Sequence, residues 1–208
     1  MNKIWVFGDS FSVPYRSVCL IPNGKQYIDY KGYEPKIYSD LLSEHYNFEL
    51  TNLSKGGISN HEIFKNFRKN YDKIGLNDIV IFNWTSISRF MYVDDGEWVS
   101  SNSHQLGTNE FVDAIRIKTT EESNYKLYEE EVYDIINFIN KLLITQKVFH
   151  WSYIGMEFQT INDETNGLIK DFHFCENQHK KMFETIVSIF NDNEKYIMIK
   201  SLYKNVGY

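Results

Sequence analysis

Lys3-Ile4-Trp5-Val6-Phe7-Gly8-Asp9-Ser10 is the stretch from which the rest of the chain can be read. A short apolar run stops on a glycine, a carboxylate and a hydroxyl in succession. The run reads as a buried strand that ends at Gly8. A turn explains Gly-Asp-Ser by itself. A serine nucleophile held at the lip of a sheet explains it too, if matching chemistry lies elsewhere in the chain.

Moving outward, residues 13–33 show no clean period and contain Pro14, Pro22, Gly24 and Gly32, which predicts a long loop. Pro35 suits a first helical turn, and Ile37, Tyr38, Leu41 and Leu42 follow at helical spacing. Residues 48–53 read as a second strand that runs into Ser54-Lys55-Gly56-Gly57. Ser59 and Glu62 then form an S-x-x-E start signal for a helix carrying Ile63, Phe64, Phe67 and Tyr71. Ile79-Val80-Ile81-Phe82 is the most strand-like run and continues into Asn83-Trp84-Thr85-Ser86. Residues 94–120 are polar and irregular, the kind of long insertion that is usually functional or mobile. A long helix, a fourth strand over 147–154, a loop-like stretch over 155–170, a helix from about Glu176 and a short last strand complete the chain.

Strands thus alternate with helices, and the connections are too long for hairpins. That pattern predicts a parallel sheet covered by helices on both faces, an α/β fold of three layers. The 208 residues form one domain, 1–208, large enough to bury a core without staples. The formal charge of −6 gives no basis for a nucleic-acid partner, and no apolar run is long enough to insert in a membrane. The first residues lack the features of a secretory leader, so a cytoplasmic location is expected. Cys19 and Cys175 have no metal or disulfide spacing and are expected to be free thiols.

In a parallel sheet, sites form beyond the carboxyl ends of the strands. Ser10, Gly57, the stretch 83–86, and the pair Asp171 and His173 all fall there. Ser10 is a weak nucleophile until a base takes its proton, and His173 suits that role. Asp171 can fix the imidazole tautomer, and backbone N–H groups of Ser10 and Gly57 can face a developing oxyanion. Cys175, two residues from His173, is read as a packed thiol, and His150 and His179 as structural histidines. Asp9 is read as a brace for the turn. Arg89 is either a binder of an anionic substrate group or the partner of a neighbouring acid. Trp98, in the polar insertion, is the candidate substrate wall.

These segments resemble the SGNH/GDSL hydrolases, a family of esterases, lipases and deacetylases. Gly8-Asp9-Ser10 is similar to the family's first block. Asn52-Leu53-Ser54-Lys55-Gly56-Gly57-Ile58-Ser59 matches its N-x-G-x-x-G-x-S block, except that Ser54 stands for the first glycine. Asp171-Phe172-His173, with His179 behind it, resembles the acid–base block. The third block departs: where the family has G-x-N-D, this chain has Asn83-Trp84-Thr85-Ser86-Ile87-Ser88-Arg89. The resemblance implies a flavodoxin-like fold and a Ser10-His173-Asp171 triad needing no metal or organic cofactor. It implies an oxyanion hole of Ser10, Gly57 and one of Asn83, Thr85 or Ser86. The expected substrate is a small-molecule or glycan ester, with small acyl groups such as O-acetyl favoured. An acyltransferase with the same triad, and a glycan-binding module without chemistry, are the alternatives. The sequence leaves the oligomeric state open.

Overall fold

The computed structural model describes residues 2–87, 89, 91–94, 97–100, 122–192 and 195–200. The first half comprises β1 (Lys3–Gly8), α1 (Asn23–Lys31), α2 (Tyr38–Tyr46), β2 (Glu49–Asn52), α3 (Asn60–Arg68) and β3 (Ile79–Trp84). Next come β4 (Met91–Asp94), β5 (Glu97–Ser100), α4 (Glu122–Leu142) and β6 (Lys147–Ser152). The short α5 (Ile161–Glu164), α6 (Glu176–Asp192) and β7 (Lys195–Met198) follow. The main sheet is five-stranded, in the order β2-β1-β3-β6-β7, and every pairing in it is parallel.

Alternate residues of the central strands feed two cores, as the strand's period of two requires. On one face Trp5, Phe7, Val80, Phe82 and Trp84 meet Ile63 and Phe67 of α3 and Ile136 and Ile139 of α4. On the other face Ile4, Val6, Ile81, Phe149 and Trp151 meet Leu42 of α2 and Met182 and Ile186 of α6. This is the expected three-layer α/β/α arrangement. Both faces are dry, so β1 and β3 are written as continuous apolar runs rather than alternating ones. Among the described residues, no helix is long and apolar enough to cross a membrane.

Three stretches read as irregular contain regular structure. The expected loop over 13–33 holds α1, whose sequence NGKQYIDYK buries only Gly24 and Tyr27. A helix with so narrow an apolar face has no 3.6-residue signature. It is held instead by polar contacts: Tyr27 donates to Glu164, and Lys31 pairs with Glu164 at 2.9 Å and Glu176 at 2.7 Å. The stretch 155–170 holds α5, capped by Thr160, whose hydroxyl accepts from the Asp163 N–H. The polar insertion begins with an antiparallel ribbon of β4 and β5.

Strand order reverses between β1 and β3: the chain steps from β1 outward to β2, then returns past β1 to β3, β6 and β7. Loops leaving β1 and β3 therefore diverge and open a crevice at that point. The two strands stay in register to their ends, with Gly8 opposite Asn83. A Cβ on Gly8 would lie 2.7 Å from Asn83 Cβ and 3.1 Å from Ser12 Oγ. Glycine is needed here for close approach, not for an unusual φ. Gly8→Ala is expected to cost about 1–3 kcal/mol through overpacking, read as a lowered urea midpoint with an unchanged slope.

Two histidines lie inside the layers. His150 accepts from Trp84 Nε1 at 3.1 Å, and its other ring nitrogen meets Asn140 Oδ1 at 3.2 Å. His179 packs against Tyr15, Tyr38 and Phe174. Burial lowers both to about 3, and the charge of His173 contributes at His179. The unfolded chain takes up these protons below about pH 6.5, while the folded chain does not. Stability is therefore intact above that pH and lost as pH falls, by about 1.4 kcal/mol per pH unit for each histidine. Denaturant titrations at pH 7 and pH 5 are expected to show this loss, and it should be smaller in His150→Gln than in wild type.

Candidate active site

The turn after β1 is a single 3-10 turn, Ser10–Ser12. Asp9 caps it: its Oδ1 accepts from the Phe11 N–H at 3.0 Å, and its carbonyl accepts from the Ser12 N–H. Ser10 thereby sits at the head of the turn and is 8% exposed. Ser12 anchors the turn below. Its hydroxyl meets Tyr38 Oη at 2.7 Å and donates to Asn83 Oδ1 at 3.1 Å, while its carbonyl accepts from Asn52 Nδ2 at 2.6 Å. Asn52 thus joins the end of β2 to the serine turn.

The loop after β2 runs beside β1, with the Leu53 N–H on the Val6 carbonyl and the Lys55 N–H on the Gly8 carbonyl. Gly57 follows in the left-handed region at φ +77°, a conformation glycine adopts without a Cβ penalty. Ser59 then caps α3, its Oγ accepting from the Glu62 N–H. Among the described residues, neither the Ser10 nor the Gly57 N–H is spent on an internal hydrogen bond. Both remain available as donors.

Asp171 and His173 lie before α6. His173 Nδ1 is 2.6 Å from Asp171 Oδ1, and the His173 backbone N–H donates to the same oxygen at 2.8 Å. Burial pushes the Asp171 carboxyl up, but the hydrogen bonds and charge of His173, with the Asn23 amide, outweigh it and hold the group below its ordinary value. The ionised aspartate orients Nδ1–H toward itself and leaves Nε2 to act on a proton. The loop is fixed by the first N–H groups of α5: Ile161 donates to the His173 carbonyl and Asn162 to the Asp171 carbonyl. Donors that a helix start leaves over are used here to hold the acid–base loop. The imidazole leans on Phe11, the residue after Ser10, with ring centroids 5.0 Å apart. Among the described residues no hydrogen bond joins Ser10 Oγ to His173; such bonds often tighten only with substrate in place.

The altered third block is closed from below. Asn83 is fully enclosed in β3; its Oδ1 receives Ser12, and among the described residues its Nδ2 has no partner. The Asn60 amide brackets the Thr85 backbone, accepting from its N–H at 2.8 Å and donating to its carbonyl at 2.9 Å. The Thr85 hydroxyl is enclosed beside the Asp9 carboxyl, whose charged form it favours. Ser86 is 5% exposed, and its carbonyl receives the Arg89 N–H. Arg89 Nη1 lies 3.3 Å from Asp9 Oδ2, so of the two readings of Arg89 the structure displays the ion pair. Trp98 lies on β5, and its side chain falls outside the described residues. Both cysteines are free, and burial pushes Cys175 up to about 11, unlike an activated thiol. Among the described residues, no three His, Cys, Asp or Glu side chains are gathered as a metal site would need.

Asn60, Asn23 and Asn52, which hold three of these segments in place, were not singled out in the sequence. Each is a single polar residue whose partner lies in another segment. Only Asn52, inside the second block, carries a motif signal.

No protein-family model and no curated protein matches the chain. Among solved structures it is similar to a G-D-S-L family protein from Desulfitobacterium hafniense DCB-2, at 11% identity and TM-score 0.39, over 96% of this chain and 77% of that one. A carbohydrate esterase matches at 9% identity and TM-score 0.44, over 98% of this chain and 70% of that one. An acetyl xylan esterase from Butyrivibrio proteoclasticus matches at 13% identity and TM-score 0.36, over 95% and 55%. The chain's own likeness to the SGNH/GDSL hydrolases lies in three motif segments that a parallel α/β sheet gathers at the carboxyl ends of its strands.

Proposed function

We propose that the chain is a serine ester hydrolase of the SGNH/GDSL kind, acting on small acyl esters, with O-acetyl groups on a carbohydrate as the favoured substrate. The observation that carries this reading is the 2.6 Å His173–Asp171 pair, packed on the turn that presents Ser10. Ser10 Oγ attacks the acyl carbonyl while His173 Nε2 takes its proton. The carbonyl oxygen becomes an anion facing the Ser10 and Gly57 N–H groups. Collapse expels the alcohol, which takes the proton back from His173. Water then attacks the acyl-serine by the same steps in reverse roles, releasing the acid and restoring Ser10. Support for a sugar substrate comes from the composition of the insertion over 94–120, which is polar and carries an aromatic residue at position 98.

Hydrolysis of p-nitrophenyl acetate, butyrate and octanoate, followed beside acetate release from an acetylated oligosaccharide, tests this reading. Wild type is expected to prefer the acetyl esters. Ser10→Ala should fall to background, and Asp171→Asn should lose on the order of 10⁴-fold in kcat by leaving His173 in the wrong tautomer. Equal rates for wild type and Ser10→Ala would remove the serine from the mechanism. Transfer of the acetyl group to an added sugar in preference to water would make the chain a transferase.

A further inference from the structure

The third block lacks the asparagine that would supply a side-chain N–H to the oxyanion, and its nearest substitutes are engaged or enclosed. The Asn83 amide faces Ser12, and the Thr85 N–H is held by Asn60. What the block does send toward the nucleophile is Arg89. Its side chain is 13% exposed and reaches a carboxylate, Asp9, that is 0% exposed and one peptide away from Ser10.

That carboxylate creates an electrostatic difficulty. A buried anion beside Ser10 opposes the second negative charge that forms on the tetrahedral intermediate, and the low dielectric of the interior strengthens the opposition. Guanidinium is the side chain suited to offset it, since it stays charged at any working pH and holds planar geometry. Its position is set by the fold. Ile87 is in the core, the Arg89 N–H closes a turn on the Ser86 carbonyl, and Asn60 fixes the strand end just before it.

We propose that Arg89 is a positioning residue for the nucleophile: by pairing with Asp9 it ties the third block to the serine turn and neutralises the buried charge beside the oxyanion. This rests on the hydrolase reading above. Burial drives the Asp9 carboxyl upward and Arg89 is the strongest influence against it, in keeping with such a role. His173, Tyr153, Tyr38 and Cys19 also sense the Asp9 charge, from the acid–base loop, the end of β6, α2 and the turn over 18–20.

The test is kcat and KM against pH for p-nitrophenyl acetate with wild type, Arg89→Met, Arg89→Lys and the double variant Arg89→Met/Asp9→Asn. Arg89→Met is expected to lose roughly tenfold or more in kcat, with KM little changed. Its kcat relative to wild type should fall further as pH rises and the unpaired Asp9 ionises; contributions common to both proteins cancel in the ratio. Arg89→Lys should recover part of the loss. The double variant should recover more and show no such pH dependence, because an asparagine side chain in place of Asp9 keeps the bond to the Phe11 N–H and carries no charge. A merely structural pair would not give that recovery. Arg89→Met with wild-type kcat at every pH, or a double variant no better than the single, overturns the proposal. If Arg89→Met fails to fold, the double variant decides alone: kcat near wild type supports compensation, and a loss as deep as tenfold overturns it. A wild type without Ser10-dependent turnover overturns the hydrolase reading and this inference with it.

Discussion

Gly8 and Asn83 face each other at the last rung between β1 and β3, closer than any side chain on Gly8 would allow. The rest of the crevice is assembled on this contact. With the strands that near, Asn83 Oδ1 can receive the Ser12 hydroxyl, and Ser12 can in turn reach Tyr38 on α2 and Asn52 at the end of β2. The turn bearing Ser10 is therefore fastened to three neighbouring elements within a few residues of leaving the sheet. A hydroxyl held this way has little conformational freedom left to lose, the condition under which positioning contributes most to any reaction it takes part in.

The two carboxylates of the region illustrate how surroundings divide identical groups. Asp171 receives two hydrogen bonds from His173 and a further one from Asn23, and its charged form is favoured. Asp9 is more deeply buried, so desolvation dominates despite Arg89, the Phe11 N–H and the Thr85 hydroxyl. Both carboxylates are buried, yet Asp171 holds its charge against the His173 ring, while Asp9 depends on a cation from another loop. A third cluster, Lys31 between Glu164 and Glu176, is built the opposite way again: burial works against the carboxylates, but several charge-assisted bonds prevail and hold Glu176 near 2. That cluster pins α1 against the segment that carries His173.

What could be read in the sequence divides along physical lines. The central strands, α2, α3, α4 and α6 announce themselves because their stability comes from apolar faces, and apolar faces are periodic. Ser10, Gly57, Asp171 and His173 stood out because turn residues and reactive side chains followed strand ends. α1 was missed because it is held by Tyr27 and Lys31 rather than by an apolar stripe. α5 carried a legible signal, Thr160 and Asp163 in capping-box spacing, within a stretch otherwise read as loop. The Arg89–Asp9 pairing was open in the sequence as one of two readings. A parallel sheet fixes which strand ends are neighbours, but not which long side chain crosses between them.

The reversal of strand order has a further consequence for the third block. At a switch point the loops after β1 and β3 turn away from each other, which opens room for a ligand but also separates the groups that must act on it. Something has to draw them back. Here two ties cross the gap: Asn60 holds the Thr85 backbone from the side of α3, and Arg89 reaches Asp9 from the block itself. The first tie works through neutral hydrogen bonds and sets position alone. The second also carries charge into the space beside Ser10. Two ties of different kinds, one neutral and one charged, thus hold the residues after β3 to α3 and to the turn bearing Ser10, with no contribution from a side chain at the position where the G-x-N-D motif has its asparagine.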